Sequence, residues 1–209
     1  MSIGQPLISV IIPHQAGTKV LLHCLQALAG DPSYSDLEII VVDNGSSDGS
    51  VDEAKRAFPG IKVVRLEQNQ GYAGGCNRGI EVSSGTYVLL LNDDTEIEPG
   101  CIKELVRVAE EDPQVGACQP KIRSLVDRSL FEYSGAAGGL MDIYGYPLSR
   151  GRLMGHVEAD HGQYDDPVEI FWASGVCMLI RKSVLAEVGS LDEVFFAYME
   201  KSTSAGASI

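Results

Sequence analysis

The chain has 209 residues, of which 44% are hydrophobic and 22% are charged, which is typical of a globular protein with one sizeable core. Its formal net charge of −13 argues against nucleic acid as a partner, and against attachment to an anionic membrane through bulk electrostatics. The sequence contains no apolar run of about 18 residues and does not start with a basic segment followed by an apolar stretch, so we expect neither a membrane span nor a signal peptide.

The cysteines are spread along the chain without any Cys-x-x-Cys pair. They are Cys24, Cys76, Cys101, Cys118 and Cys177. An odd number at long spacings indicates neither a zinc site nor a disulfide framework. We therefore expect reduced thiols in the core of a cytosolic protein.

Four short apolar runs, rich in Ile, Val and Leu and without polar alternation, are typical of strands that are buried on both faces. These runs are residues 7–12, 37–42, 61–66 and 87–91. Helical patterns lie between these runs and after the last one. They occupy residues 18–29, 73–83 and 99–111, and a further helix is expected to start at a capping box formed by Ser50 and Glu53. This alternation predicts an α/β fold with a mostly parallel central sheet and helices on both faces.

A different pattern begins after about residue 115. The glycine-rich residues 135–162 are typical of an irregular loop, residues 168–181 predict a strand, and residues 183–188 predict a short helix. Residues 201–209 are mostly Ser, Thr, Ala and Gly and predict a flexible tail.

Polar residues close three of the four predicted strands, at Asp43, at residues 68–71, and at Asp93 with Asp94. Ligands of such sheets bind at the carboxyl ends of the strands. Two adjacent carboxylates repel each other, and a hard divalent cation with oxygen ligands relieves that repulsion. The cation would also neutralise a bound diphosphate. The alternative for Asp93 and Asp94 is a solvated turn, in which Asp is a favoured residue.

Three further features have both a functional and a structural interpretation. Asp43 is suited to accept hydrogen bonds from a nucleotide base or ribose, and equally to form a turn that leads into a helix. Trp172, the only tryptophan, is suited to a ligand platform, although an aromatic residue beside Phe171 in a strand is more often part of a core. The glycine-rich residues 69–79 match neither the Gly-x-Gly-x-x-Gly fingerprint nor the Walker loop, yet let the backbone approach a ligand closely.

Taken in order, these motifs resemble those of the family 2 glycosyltransferases, which have the GT-A fold. The matching segments are residues 9–13 (SVIIP), 39–50 (IIVVDNGSSDGS), 69–80 (NQGYAGGCNRGI) and 89–96 (LLLNDDTE). Residues 172–181 and 191–200 (LDEVFFAYME) are similar to the acceptor-side strand and to the approach to the catalytic acid motif of the family. Residues 71–75 and 162–164 look most like bacterial rhamnosyltransferase-type members.

The resemblance implies a role for each candidate site residue. Asp43 and the backbone near Pro13 would hold the nucleotide base, Asp93 would face the ribose and a metal, and Asp94 would be the main ligand of a Mg²⁺ or Mn²⁺ ion. The remaining nucleotide-pocket residues would be Asn69, Gly71 and Asn77, and the acceptor-side residues would be Trp172 and Gly175.

Two positions depart from the family pattern. His14-Gln15 stands in place of an aromatic–Asn pair, and Glu200 is followed by Lys201 where the Asp that serves as general base is expected. We therefore expect a truncated chain: residues 1–200 form one catalytic domain, with a nucleotide-sugar-binding half (1–114) and an incomplete acceptor-side half (115–200), followed by a non-native tail (201–209). Because a general base contributes about 10²–10⁴-fold to a rate, we expect Glu200 alone to support weak transfer or none.

The predicted function is that of an inverting glycosyltransferase of bacterial cell-surface polysaccharide synthesis. It would move a sugar from a UDP- or dTDP-linked donor to a saccharide or lipid-linked acceptor. The expected location is the cytoplasm at the inner face of the membrane, with peripheral membrane association of the full-length protein. One alternative is a non-catalytic nucleotide-sugar-binding module, which Lys201 favours. The other is a sugar nucleotidyltransferase, although residues 13–17 match its glycine-rich loop poorly.

Overall fold

The computed structural model describes residues 8–33 and 37–194, which contain five helices and ten strands. The strands are β1 (Ile8–His14), β2 (Leu37–Asn44), β3 (Lys62–Leu66), β4 (Tyr87–Leu91), β5 (Ala117–Cys118), β6 (Gly139–Met141), β7 (Pro147–Ser149), β8 (Arg152–Leu153), β9 (His156–Val157) and β10 (Cys177–Arg181). The helices are α1 (Thr18–Ala29), α2 (Ser50–Ala57), α3 (Gly71–Val82), α4 (Cys101–Glu111) and α5 (Lys182–Val188).

The central sheet has the strand order β3-β2-β1-β4-β10-β5. Strands β1 to β4 are parallel, and β10 runs antiparallel to both of its neighbours. Every residue of β4 is buried, as are most residues of β1, because helices cover both faces of the sheet. The predicted α/β fold with a mostly parallel central sheet is therefore confirmed.

The two faces of the sheet bury separate apolar clusters. Helices α1, α2 and α4 pack on one face, against side chains such as Val10, Val41 and Leu89. Helices α3 and α5 cover the other face, against side chains that alternate with the first set, such as Ile11 and Val88. The predicted helix at residues 18–29 is confirmed, and its apolar stripe faces the first cluster.

The starts of three helices differ from the predictions. The predicted capping box of Ser50 and Glu53 is wrong, because Gly49 (φ 74°) precedes α2 and Ser50 is its first helical residue. Helix α4 begins at Cys101 after Gly100 (φ 88°), beyond the predicted start at residue 99. Helix α3 begins at Gly71, two residues before the predicted position. Glycines in the left-handed conformation precede α2 and α4. Because a glycine has no side chain, it gives no capping signal that the sequence could show.

Residues 139–157 form a second sheet where the sequence predicted an irregular loop. It is antiparallel, with the strand order β6-β7-β8-β9, and its strands have only two or three residues. The predicted strand at residues 168–181 is confirmed only from Cys177 onward, while Trp172 makes an isolated bridge to Gly139. Strands this short are too brief to produce a readable alternation of apolar and polar residues.

The cysteines are all free, as predicted. Cys24, Cys76 and Cys177 are buried, and Cys101 and Cys118 are half-buried. Across the described ranges, no helix has the length and apolar character that crossing a bilayer requires.

A carboxylate near the start of β2 ties together the edge of the sheet opposite to the strand ends. Glu38 accepts hydrogen bonds from Ser9 and Lys62, and from the backbone N–H of Ser84 at 2.7 Å. Burial of the Glu38 carboxyl opposes its ionisation, but these hydrogen bonds outweigh burial and lower the pKa of Glu38 to about 2. This network joins β1, β2 and β3 to the turn before β4.

Candidate active site

The carboxyl ends of the parallel strands enclose a cleft of about 350 Å³. Its lining residues come from the ends of β1, β2 and β4, from the turn after β3 and from the start of α3. They are Pro13, His14, Gln15, Ala16, Asn44, Asn69, Gly71, Tyr72 and Asp93. Four predicted nucleotide-site residues therefore share this cleft: Pro13, Asn69, Gly71 and Asp93.

His14, the last residue of β1, contacts the turn after β4 and the start of α2. Its imidazole is buried, with Nδ1 2.6 Å from Oδ2 of Asp93 and Nε2 2.7 Å from Oγ of Ser50. Ser50 in turn donates to Asp48, and hydrogen bonds from Gly17 and Ser50 lower the pKa of Asp48 to about 2. Because an ionised Asp48 only accepts, Ser50 donates to Asp48 and accepts from Nε2 of His14.

His14 thereby fixes the direction of the Asp93 carboxylate. The sequence marked His14 as a departure from the family pattern without giving it this role. The signal was present, since a histidine at the end of a buried strand needs polar partners. Its partners lie 36 and 79 residues away along the chain, and local patterns do not identify them.

Asp94 and Asn92 offer further oxygen atoms beside Asp93. Partial desolvation and the neighbouring charge of Asp93 raise the pKa of Asp94. Oδ1 of Asn92 is buried and has no hydrogen-bond partner. A bound cation would relieve both conditions, because it stabilises an ionised carboxylate and is bound by amide oxygens. The residues present therefore fit a divalent metal ion.

The protein alone offers few ligands for such an ion. Within residues 8–33 and 37–194, no three His, Cys, Asp or Glu side chains come together in a group that could hold a metal.

Helix α3 starts at the cleft and is held there by Asn44. The Asn44 amide donates to the carbonyl of Gly71 at 2.9 Å, and its oxygen accepts from the backbone N–H of Gln70 at 2.8 Å. The backbone N–H of Gly71, the first residue of the helix, donates to Oδ1 of Asn69 at 2.8 Å, so side chains bind the N–H groups of residues 70 and 71. Sequence reasoning missed Asn44, although it follows Asp43 at the same strand end.

The glycines of α3 serve packing more than ligand approach. A Cβ atom at Gly79 would lie 2.3 Å from Cγ2 of Ile11, so only glycine lets the helix lie this close to β1. Gly71 has φ 74°, a conformation that glycine adopts without strain. Gly71 lines the cleft, and close approach of a ligand to its backbone stays a prediction, whereas Gly79 is required by the packing of α3 against β1.

Asp43 lies at the end of β2, but both of its carboxylate oxygens are engaged within the protein. Oδ1 accepts from the backbone N–H of Ser46 at 2.9 Å, and Oδ2 accepts from Arg65 at 2.9 Å. Asp43 is buried and is not among the residues that line the cleft. These contacts correspond to the turn-forming interpretation of Asp43, and its contact with a base stays a prediction.

Asn77 contacts the end of the described chain. Its amide donates to the carbonyl of Leu191 at 2.9 Å and to Oε1 of Glu193 at 2.8 Å, and its oxygen accepts from the backbone N–H of Leu191 at 3.0 Å. Arg78 adds an ion pair to Glu193 at 3.2 Å. Asn77 therefore fixes the segment that leads towards Glu200, and its role in shaping the nucleotide pocket stays a prediction. Glu200 and Lys201 lie outside the described residues.

The acceptor-side candidates adjoin the cleft through Tyr72. The hydroxyl of this cleft residue donates to the carbonyl of Gly175 at 2.6 Å. The half-buried Trp172 lies against Gly139, where an added Cβ would come within 1.7 Å of the indole ring, and its Nε1 donates to the carbonyl of Leu140 at 3.1 Å. The structure brings Gly175 next to the cleft and uses Trp172 to anchor the second sheet.

Two solved structures share this fold. The chain is similar to a mannosyltransferase from Pyrobaculum calidifontis in complex with GDP-Man and Mn²⁺, with a TM-score of 0.63 and 17% identity. The match covers 91% of this chain and 49% of the mannosyltransferase chain. It is also similar to TarS from S. aureus in complex with UDP, over 95% of this chain and 53% of that one, with a TM-score of 0.65 and 18% identity. The fold is thus the GT-A fold.

The family follows from the sequence itself. The family model described as glycosyl transferase family 2 matches residues 9–189, and the chain belongs to that family. It is 30% identical over 182 residues to an N-acetylglucosaminyl-diphospho-decaprenol L-rhamnosyltransferase of Mycobacterium tuberculosis (strain CDC 1551 / Oshkosh). That match covers 78% of this chain and 58% of the relative, so the chain spans little more than half of the relative's length.

Proposed function

We propose that this chain forms the donor-binding part of an inverting glycosyltransferase that uses a nucleoside-diphosphate sugar. The observation that carries the proposal is the cleft, where the start of α3 and Asp93, which is adjacent to Asp94 after the end of β4, lie on the same edge of the sheet. An anion bound by a carboxylate-held cation near the positive end of the α3 dipole fits this arrangement. The mannosyltransferase with GDP-Man and Mn²⁺ and TarS with UDP support it by analogy of fold.

Side chains of the cleft and of the adjoining turn after β4 have proposed tasks in binding the donor. Asp94 and Asp93 hold a divalent ion, either Mg²⁺ or Mn²⁺, and the oxygen of Asn92 completes the edge. His14 keeps the Asp93 carboxylate in one orientation, and Asn44 keeps the first turn of α3 against the cleft. When bound, the ion would neutralise the diphosphate and favour its departure. The donor nucleotide is UDP or dTDP.

The acceptor is a saccharide or a lipid-linked sugar of bacterial cell-surface polysaccharide synthesis. The name of the mycobacterial relative, which specifies a sugar on a decaprenol diphosphate, supports this class of acceptor. In a single displacement the acceptor hydroxyl attacks the anomeric carbon on the face opposite the diphosphate, and a carboxylate takes its proton. By resemblance an Asp after Glu200 would supply that carboxylate, and because Lys201 stands there, Glu200 is the acid left to serve in its place. The proposed location is the cytoplasm, at the inner face of the membrane.

The test is a transfer assay with UDP-, dTDP- and GDP-linked sugars and polyprenyl-diphosphate-linked acceptors, in the presence of Mn²⁺ or Mg²⁺. Mass spectrometry detects the product, and NMR determines its anomeric configuration. The Asp94→Asn variant gives the background rate of product formation. The matched control is Asp166→Asn, which removes an exposed acid outside the cleft.

We expect a product of inverted configuration with the wild-type and the control chain, at a rate that is low but above the background. A product of retained configuration would rule out single displacement. Nucleotide binding without any product above the background would instead favour the non-catalytic binding module.

A further inference from the structure

The second sheet leaves an apolar face uncovered. Leu140 of β6 lies directly opposite Leu148 of β7. Ser149 of β7 lies opposite Arg152 of β8, so continuing the antiparallel register by one residue brings Leu148 next to Leu153. Side chains directly opposite each other point to the same face of a sheet. Three leucines therefore form one row across three strands, and each is exposed.

One end of the same sheet is also apolar. In an antiparallel meander the first and third turns lie at the same end, so the β6–β7 and β8–β9 turns are neighbours. The first turn carries Ile143, Tyr144 and Tyr146, and the second carries Met154. Together with the leucine row they form an apolar patch of seven side chains, between 45% and 91% exposed.

The charged groups nearest the patch are engaged elsewhere. The Asp142 carboxylate accepts from the backbone N–H groups of Tyr144 and Tyr146 at 2.9 Å each. The guanidinium of Arg152 lies 4.1 Å from the ring centre of Tyr133, and that of Arg150 lies 4.7 Å from the ring centre of Tyr164. Residues 139–157 hold two Arg and one Asp, a net charge of +1, whereas the whole chain carries −13.

We propose that this apolar patch docks on the surface of a phospholipid bilayer. Aliphatic side chains mixed with tyrosines suit the boundary between acyl chains and headgroups, where Tyr places its ring in the apolar layer and its hydroxyl in water. The charge distribution is compatible with this orientation, because anionic lipids repel the acidic chain as a whole, whereas residues 139–157 carry a net charge of +1. Binding of this kind depends on buried apolar area.

The position of the patch fits a membrane-borne acceptor. Gly139 pairs with Trp172, whose chain continues to Gly175 beside the cleft residue Tyr72. A bilayer docked on the patch would therefore lie near the acceptor side of the cleft. The docking itself requires no nucleotide and no transfer, so it is independent of the proposed reaction.

The experiment measures co-flotation of the full chain with phosphatidylcholine vesicles, with and without phosphatidylglycerol, in the absence of nucleotide. Ile143→Asp changes the patch at its tip, where no folded contact is lost because the side chain is 91% exposed. Val126→Asp introduces the same charge at a position that is 99% exposed and outside the patch. Thermal unfolding verifies that both variants fold.

We expect the wild-type and Val126→Asp chains to float with the vesicles, and Ile143→Asp to bind about tenfold less or weaker still, since an aspartate strongly opposes insertion into the apolar layer. Binding should persist at high salt. Three results would overturn the proposal: no flotation of the wild-type chain, an equal loss in both variants, or a dimer that Ile143→Asp dissociates. The last of these would assign the patch to a second copy of the chain.

Discussion

The two sheets of this protein differ in how firmly they hold their residues. The central sheet has strands of five to eight residues among β1 to β4, and its cleft residues are fixed by buried hydrogen bonds such as those of His14 and Asn44. The second sheet has strands of two or three residues and exposed leucines. A diphosphate and its cation require groups held in fixed positions, whereas contact with an apolar layer depends on area. The difference therefore fits the proposed donor site in the central sheet and the proposed docking surface on the second sheet.

The largest expected effect comes from breaking the link between α3 and the end of the described chain. Asn77→Asp removes the amide that donates to Leu191 and Glu193 and sets a carboxylate against Glu193. We expect a loss of about 3 kcal/mol in the free energy of unfolding, because a buried acceptor and a like charge are left uncompensated. Urea denaturation measures it. Adding Glu193→Gln should restore part of the stability, and no restoration would mean that the charge contact is not formed.

Substitutions at Asp43 and its partner test whether this residue binds the nucleotide or only stabilises the turn after β2. If Asp43 contacts the nucleotide, Asp43→Ala should weaken nucleotide binding by about 1.5–3 kcal/mol, or roughly 10- to 150-fold, while the protein stays folded. Arg65→Gln removes the ion-pair partner without touching the carboxylate. Calorimetric titration of UDP compares them. Equal, small effects of both changes would assign Asp43 to the turn alone.

Two glycine substitutions compare the sheets directly. Gly79→Ala forces α3 away from Ile11, and we expect a loss of about 1–3 kcal/mol in global stability, as for overpacked cores. Gly139→Ala displaces Trp172, the only tryptophan, so its fluorescence should change with little change in unfolding followed by circular dichroism. If Gly139→Ala lowers the global midpoint as much as Gly79→Ala, the two sheets unfold as one unit and the comparison fails.

The smallest effect concerns acid stability at the edge opposite the cleft. The folded pKa of Glu38 is lowered to about 2, so its contribution is present above the unfolded pKa and is lost as pH falls from about 4.5 towards 2. We expect Glu38→Gln to cost about 1–2 kcal/mol at neutral pH. The difference from wild type should vanish near pH 2. A difference independent of pH over that range would assign the loss to packing.

The sequence predicted what depends on neighbours along the chain. Helix α1 and strand β4 have the predicted bounds, because the apolar stripe of α1 and the unbroken apolar run of β4 each lie within one segment. The carboxylates at the end of β4 were also identified, since parallel strands bring their carboxyl ends to one edge.

What sequence reasoning missed depends on distant partners. The second sheet follows from pairing between strands too short to show a pattern, and the position of Ser50 follows from its contact with His14, 36 residues away. Asn77 reaches Leu191 across 114 residues, which no local pattern reveals. Asp43 was given two interpretations, because a strand-end Asp serves both; its contact with the backbone N–H of Ser46 supports the turn, and its contact with a base stays a prediction.

The most direct test of the donor site is calorimetric titration of the chain with UDP and dTDP, in Mn²⁺ and in a chelator. The cation relieves the repulsion between Asp93 and Asp94 and screens the diphosphate, so we expect binding in Mn²⁺ that falls at least about tenfold in the chelator. Asp94→Ala should bind equally weakly in both conditions, and Asp166→Asn should behave as the wild type. Equal affinity of the wild-type chain with and without the cation would contradict the metal-assisted site.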